Sequence, residues 1–386
     1  MTERTGHFAG QRRGGICVRT GGGRDAAGVA RQLRTHLARH DLDTCATTAC
    51  AFDTGGAYAS FRLADEFAQR WAPGYDTMAI RERSRDPAAA PPDAEGDLER
   101  EILIAMLAAP IDFEFPNCDE LLAAVRLRAG IARAAARTVV AFDTRSAERP
   151  EEYWVYDERI GFTVRPGRSV IDALRLATQP AASGALYSFS CYRATEYVIL
   201  LAVAEELALH NPPLFAQLQR QCETRMIRSA QFHDTFLIEY GSMEAPLPPR
   251  YYVPGDRLWF RNPDAASSDI IGYEGSWVFY LGGGLFSNFW KSDQPYTLAS
   301  KCIEIYHWRH GARRDAGGEP AMDEDVVEAR MRATQADPQA AAEIVARMMR
   351  LRDPKGIYAE GGCIDTTREY PRRVCPGTAD LALPGS

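Results

Sequence analysis

The chain of 386 residues has no apolar run long enough to span a bilayer, which excludes a bundle of membrane-crossing helices. It starts Met1-Thr-Glu-Arg-Thr-Gly-His7, without the charged-then-apolar pattern of a secretory signal, so a cytoplasmic location is expected. Its nine cysteines are odd in number and include no CxxC pair. The seven histidines do not cluster with them. That pattern argues against a disulfide framework or a zinc site, and for a reducing compartment. There is no excess of positive charge: the formal net charge is −7, so a nucleic-acid footprint is not indicated. The glycine-rich stretch near the N-terminus, Gly15-Ile-Cys-Val-Arg-Thr-Gly-Gly-Gly23, lacks both the Lys-Ser/Thr of a P-loop and the GxGxxG spacing. A plain structural turn is the expected reading. No internal repeat is found, and Asp264 and Asp269 form no calcium-loop pattern.

What is present is ordinary globular composition, 46% hydrophobic and 25% charged, in a chain long enough for two domains or one large core with appendages. The first fourteen or so residues are polar and rich in Gly and Arg, and disorder is expected there. Periodicity predicts helices over Asp25–His40 and Phe61–Trp71, with a strand over Thr44–Phe52 between them. Residues 84–96, rich in Ala, Pro and Asp, read as a linker. An N-terminal accessory region is therefore expected over residues 1–97, and a main domain over 98–320. A largely helical extension with a break near Pro338, followed by a tail of little pattern, fills 321–386. Within the main domain a long helix is expected over Asp119–Val140, its apolar stripe built from Leu121, Leu122, Val125, Leu127 and Ile131. Arg126, Arg128, Arg133 and Arg137 lie outside that stripe and are expected on its solvated face. Tyr153–Tyr156 and Gly161–Val164 read as a hairpin around Asp157-Glu-Arg159, and Val170–Ala177 as a short helix.

The most informative stretch runs from Tyr187-Ser-Phe-Ser-Cys191 to Leu209. Ser190 can cap a helix, which places Cys191 in its first turn. His210-Asn-Pro-Pro213 stops that helix, since proline cannot continue the hydrogen-bond ladder. A thiol at a helix N-terminus, with Arg193 close behind, is favoured as the reactive thiolate. The competing reading is a buried cysteine that fills space. Beyond this helix comes another over Leu214–Ser229, and then strands. Thr235–Tyr240, Leu258–Phe260, Ser276–Leu281 and Leu285–Trp290 are expected as strands, with Pro254-Gly255 as the centre of a type II turn and Gly282-Gly-Gly284 as a tight hairpin turn. A cysteine-bearing helix ahead of an antiparallel meander is the order of an α+β, papain-like (NlpC/P60-like) core, in which strands present polar groups to a thiolate.

Four stretches carry a resemblance. They are Pro110-Ile-Asp-Phe-Glu-Phe115 with Glu120 and Arg126–Ala136; Tyr153-Trp154 with Gly167–Ala173; Leu186-Tyr-Ser-Phe-Ser-Cys191; and Pro254–Asp264 with Tyr273-Glu-Gly-Ser276 and Leu281-Gly282. In this order they resemble the small spore-coat type of bacterial transglutaminase, protein-glutamine γ-glutamyltransferase. The resemblance implies Cys191 as nucleophile and Glu274 as the essential carboxylate. Ser190 stands where the family member compared has a glutamate. Leu285-Phe-Ser-Asn288 stands where it has a histidine, which makes Asn288 the nearest polar counterpart.

The implied chemistry is covalent acyl transfer. The thiolate attacks a glutamine side-chain amide, ammonia leaves, and a lysine amine resolves the thioester to an isopeptide bond. Glu274 would exchange the protons, and the Cys191 N–H would donate to the oxyanion, with the Asn288 side chain as a second donor or an orienting group. Tyr187, Ser190 and Trp277 would line the approach of substrate, with Trp259, Tyr273 and Trp290 as further candidate walls against water. Protein substrates bearing exposed Gln and Lys are the implied partners, with no metal or organic cofactor, no nucleic acid and no membrane. Sporulation is implied only by the resemblance. Two alternatives stay open: a papain-like amidohydrolase or deamidase with water as acceptor, and a catalytically inactive structural relative.

Overall fold

The structure is a computed structural model that describes residues 14–20, 25–85, 94–141, 148–225, 229–352 and 362–383. Residues 1–13, the glycines 21–23 and the stretch 86–93 of the expected linker lie outside the described residues.

The chain opens with β1 (Gly15–Arg19), α1 (Ala26–Ala38), β2 (Ala46–Asp53), β3 (Gly56–Leu63), α2 (Asp65–Trp71), α3 (Ile80–Arg83) and α4 (Ala94–Leu107). It continues with β4 (Asp112–Phe115), α5 (Cys118–Arg137), β5 (Trp154–Asp157), β6 (Gly161–Val164), α6 (Val170–Thr178), α7 (Pro180–Ser183) and α8 (Cys191–His210). Then come α9 (Pro212–Thr224), α10 (Ser229–Phe236), β7 (Leu237–Tyr240), β8 (Arg257–Arg261), α11 (Ala265–Ser268), β9 (Gly275–Gly282), β10 (Leu285–Phe286) and β11 (Tyr296–Thr297). The last elements are α12 (Leu298–Gly311), β12 (Ala312–Arg314), β13 (Pro320–Met322), α13 (Glu324–Gln335), α14 (Pro338–Met348) and β14 (Arg368–Pro371).

Two larger sheets organise this α+β molecule. The first has the order β2-β3-β1-β4, and β4 joins β1 in parallel. The segment expected as a helix over Phe61–Trp71 divides instead: Phe61 is the β3 partner of Ile16 and Thr48, and only Asp65–Trp71 is helical. Pairing of Phe61 on both sides, with Ile16 of β1 and Thr48 of β2, overrides a weak helical period. One apolar core runs from Ile16 and Leu33 through Ile104 and Phe113 to Leu121 and Val125. The boundary expected at residue 97 therefore runs through a shared sheet and a shared core.

The second sheet has the order β11-β10-β9-β8-β14-β7 and is antiparallel throughout. Its fifth strand comes from the tail that showed little pattern in the sequence. Glu369 of β14 pairs across to Arg257 of β8, and Tyr370 to Ile238 of β7. The segment 321–386 is thus partly helical, through α13 and α14, and partly a strand of the central sheet.

The Val253–Asp256 turn joins the two halves. The Asp256 N–H donates to Val253 O at 2.9 Å and Gly255 takes φ +87°, the left-handed value a type II turn needs at that position. A Cβ on Gly255 would fall 2.7 Å from the Arg128 backbone oxygen. Arg128 is not on a solvated face, as had been expected. It is fully buried, with Nη1 2.6 Å from Asp256 Oδ1, and its guanidinium lies over Tyr370 at 4.7 Å. The turn carboxylate also accepts from the Tyr240 hydroxyl and the Val253 N–H. A buried arginine needs such a partner, which periodicity cannot reveal.

Candidate active site

Helix α8 starts as its sequence requires. Ser190 is extended (φ −75°, ψ 155°), and its hydroxyl accepts from the Arg193 N–H at 3.2 Å. Cys191 is the first helical residue, so its own N–H has no intrahelical acceptor. The approach segment is fixed on both sides. Phe189 N–H donates to Ala141 O and Ala141 N–H to Tyr187 O, at 2.9 and 3.0 Å. Arg149 clamps the same segment: its guanidinium lies 3.5 Å from the centre of the Phe189 ring and donates to Ser188 O and to the Tyr197 hydroxyl, each at 3.1 Å. Sequence reasoning missed Arg149, which is distant in the chain and carries no local signal.

Strand β9 meets the sulfur edge-on. On one edge of β9, Phe279 exchanges hydrogen bonds with Ser287, its N–H donating to Ser287 Oγ at 3.0 Å. Strand β10 pairs only with Tyr280 and Gly282. Two residues before Phe279 the same edge presents the Trp277 N–H, since successive residues of a strand point to alternate sides. That N–H donates to the Cys191 sulfur, as does the N–H of Tyr192. Burial nonetheless pushes the Cys191 thiol above its ordinary value, against those two N–H groups, Lys301 and Arg257. The expected helper, Arg193, is engaged with Glu196 at 2.6 Å. The cations that act on the sulfur come from strand β8 and helix α12 instead.

Arg257 is buried between α8 and the sheet. Its Nε donates to Thr195 Oγ1 at 2.8 Å and its Nη1 pairs with Glu369, which His233 Nε2 approaches at 3.2 Å. Its guanidinium lies 3.9 Å from the centre of the Trp277 ring. Trp277 stacks on its cross-strand partner Trp259 at 5.6 Å with 4° between the planes, and Arg261 covers Trp259 at 4.2 Å. The two indoles are thus held between two guanidinium groups, a firm wall beside the sulfur.

Lys301, one turn into α12, is 1% exposed. Its Nζ lies 2.8 Å from Glu304 Oε2, and 3.9 and 5.8 Å from the ring centres of Tyr296 and Trp308. Helix α12 was not anticipated, although Thr297 and Ser300 form a capping box that marks its start.

Of the residues named from sequence, Cys191 and Trp277 are brought together. Tyr187 and Trp290 are half-buried and pack in the core cluster that Cys191 joins. Glu274 is exposed, three residues before Trp277, and its carboxylate accepts from the Gly272 N–H at 3.0 Å. Its loop is tied by Asn262, which donates to Tyr273 O at 2.8 Å and to Ser267 Oγ at 2.9 Å. Tyr273 turns its hydroxyl to Glu324 at 2.7 Å. Asn288 is buried and organises its own loop: its amide donates to Gln294 O at 2.9 Å, and its oxygen accepts from the Trp290 and Lys291 N–H groups at 3.2 Å. Among the described residues, no three His, Cys, Asp or Glu side chains gather as a metal set. Among them, too, no helix is long and apolar enough to cross a membrane.

The family model for protein-glutamine γ-glutamyltransferase matches residues 77–368, more than half of the chain. The chain belongs to this family. It is an acyltransferase acting on protein substrates. The match crosses both boundaries expected from sequence, at 97 and at 320. It takes in the whole cluster around Cys191, but ends one residue short of Glu369. No curated protein matches the chain. Among solved structures it is similar to the transglutaminase from Geobacillus stearothermophilus without its C-terminal extension, at 23% identity and a TM-score of 0.39, over 55% of this chain and 98% of that one.

Proposed function

We propose that Cys191 is the nucleophile of protein cross-linking, on a papain-like arrangement in which α8 packs on an antiparallel sheet. The observation that supports this most is the place of Cys191 as the first residue of α8, where the Trp277 N–H of β9 and the Tyr192 N–H both favour the thiolate. The thiolate adds to the glutamine γ-carboxamide, and the oxyanion receives the Cys191 N–H. Collapse breaks the C–N bond, and ammonia leaves with a proton from Glu274. The thioester then accepts the lysine amine, whose surplus proton returns to Glu274, and the thiolate leaves as the isopeptide bond forms.

The scissile amide would lie between the sulfur and the Glu274 loop, so the carboxylate serves the nitrogen and need not touch the sulfur. Glu274 would exchange its Gly272 contact for the substrate. Asn288 acts by holding the loop that carries Trp290. Tyr187, Ser190 and Trp277 shape the approach, Ser190 by fixing the first turn of α8. All nine cysteines are free, which suits a reducing, cytoplasmic setting.

Incubation with casein and a fluorescent amine tests the reading. Label incorporation that is lost in Cys191→Ala and kept in Cys222→Ala is expected. Ammonia release without label would instead indicate a deamidase, and equal losses in both variants would remove Cys191 from its role.

A further inference from the structure

Two buried thiols meet where the tail returns to the central sheet. Cys302 lies in the second turn of α12, and Cys363 lies between α14 and β14. Their sulfurs are 3.7 Å apart, although 61 residues separate them in sequence. Both residues are 0% exposed and belong to one apolar cluster with Tyr252, Phe260 and Met348. The backbone of Cys363 is held on two sides. Its N–H donates to Met348 O at 2.9 Å, at the end of α14, and its carbonyl accepts from the Arg261 N–H at 2.8 Å, at the end of β8. The next residue, Ile364, bridges to Phe260 of β8. Cys363 therefore leaves α12 only if its pairing with β8 is lost. Two cysteines in a core can serve as small apolar fillers. Here, however, the sulfurs touch each other, and a bond length of about 2.0 Å asks them to close by only about 1.7 Å.

We propose that Cys302 and Cys363 form a latent disulfide site, which closes when the chain meets a low-molecular-weight disulfide such as oxidised glutathione. The Cys302 thiolate attacks one sulfur of the reagent, whose S–S bond breaks, and a glutathione thiolate leaves. The Cys363 thiolate then attacks the Cys302 sulfur of the mixed disulfide and expels the second glutathione thiolate. The two protons released by the protein end on the two glutathione thiols, so the protein is oxidised by two electrons and the reagent reduced by two. Burial holds the Cys363 thiol well above its ordinary value, which keeps the packed pair unreactive. Exchange therefore proceeds slowly, through transient opening of this corner, and the closed bond is then shielded from reductant. In a reducing compartment the pair stays as two thiols. The span between them holds α13 and α14, including Glu324, which accepts from the hydroxyl of Tyr273 beside Glu274. The bond clasps that helical extension to the sheet. Nothing in this inference depends on the role of Cys191.

The test is incubation of the full chain with oxidised glutathione, followed by alkylation with iodoacetamide in urea and tryptic digestion without reduction. The expected product, read by mass spectrometry, is the peptide Cys302–Arg309 joined to Gly356–Arg368 and lighter than the two thiol peptides by two hydrogens. It should accumulate over hours and survive a brief treatment with reduced glutathione that frees the exposed Cys50. The oxidised chain should unfold about 5 °C above the reduced chain, because the bond restricts the 61-residue span in the unfolded state. Both effects should vanish in Cys302→Ala and in Cys363→Ala. The wild-type peptide map decides the matter even where neither variant folds. Recovery of both peptides fully alkylated, while Cys50 carries glutathione, would overturn the proposal. So would Cys302 or Cys363 bonded chiefly to other cysteines. A joined pair that leaves the unfolding temperature unmoved would overturn the clasp.

Discussion

The main-chain N–H of Trp277 is directed at the sulfur of Cys191. A helix start and a strand edge, far apart in sequence, thereby complete each other. The helix offers a thiol in its first turn, and the strand offers a donor that its neighbour β10 is too short to reach. Because the donor is backbone, side-chain replacement at 277 leaves it in place while removing the wall beside it.

Trp277→Ala therefore separates the two contributions. The indole lies between Trp259 and Arg257, and its loss opens the site to water. Amine transfer is expected to fall by roughly 10- to 100-fold, with hydrolysis of the thioester gaining on it. The pH midpoint of iodoacetamide alkylation at Cys191 should stay within about half a unit, since the N–H persists. A midpoint shift of about a full unit or more would mean that the ring, and not the peptide group, governs the thiol.

Glu274→Gln addresses the proton carrier. The residue is exposed, and its one hydrogen bond described here is accepted from the Gly272 N–H, which a glutamine oxygen accepts equally well. Stability should stay within about 0.5 kcal/mol of wild type, as for other surface changes. The rate of transfer should fall by about 10²- to 10⁴-fold, the usual worth of a positioned acid–base group. Full activity in a folded Glu274→Gln chain would dismiss it as the essential carboxylate.

Features set by near neighbours were legible in the sequence. The Ser190 cap, the stop at Asn211-Pro-Pro213 and the Val253–Asp256 turn each depend on three or four adjacent residues, and each is where it was expected. Groups joined by distant pairing were not. Arg257 finds Glu369 only because β14 returns from the tail to lie beside β8. Arg128 reads as a solvated arginine until Asp256 is folded against it. Cys191 shows both sides: its place at a helix start is local, whereas the burial that raises its pKa and the cations that oppose it belong to other elements.

Arg128 and Asp256 should be essential to the fold and not to the chemistry. Both side chains are 0% exposed, and Asp256 also receives the Tyr240 hydroxyl. Asp256→Ala leaves a buried guanidinium without its anion and is expected to cost about 3–5 kcal/mol in urea unfolding. The double variant Arg128→Met, Asp256→Leu removes both charges and should recover much of that loss. A double variant as unstable as the single one would show that the hydrogen bonds of the turn, and not the unpaired charge, carry the cost.

The His233–Glu369–Arg257 chain gives the fold a pH signature. Glu369 is pushed up by burial, but His233 and Arg257 outweigh this and hold its carboxyl below its usual 4.5. The Glu369 carboxylate in turn holds His233 above its usual 6.5. A group with a raised folded pKa stabilises fully below its unfolded value and loses that contribution as pH rises through the folded one. A group with a depressed folded pKa stabilises above its unfolded value and loses that contribution as pH falls. Both contributions are complete between about pH 4.5 and 6.5, the two unfolded values. His233→Gln should therefore be most destabilising near about pH 5.5, with a gap to wild type that narrows towards about pH 9 as the imidazole loses its proton. Urea unfolding at the two pH values measures that gap. A gap that stays constant would assign His233 a packing role and leave Glu369 to Arg257 alone.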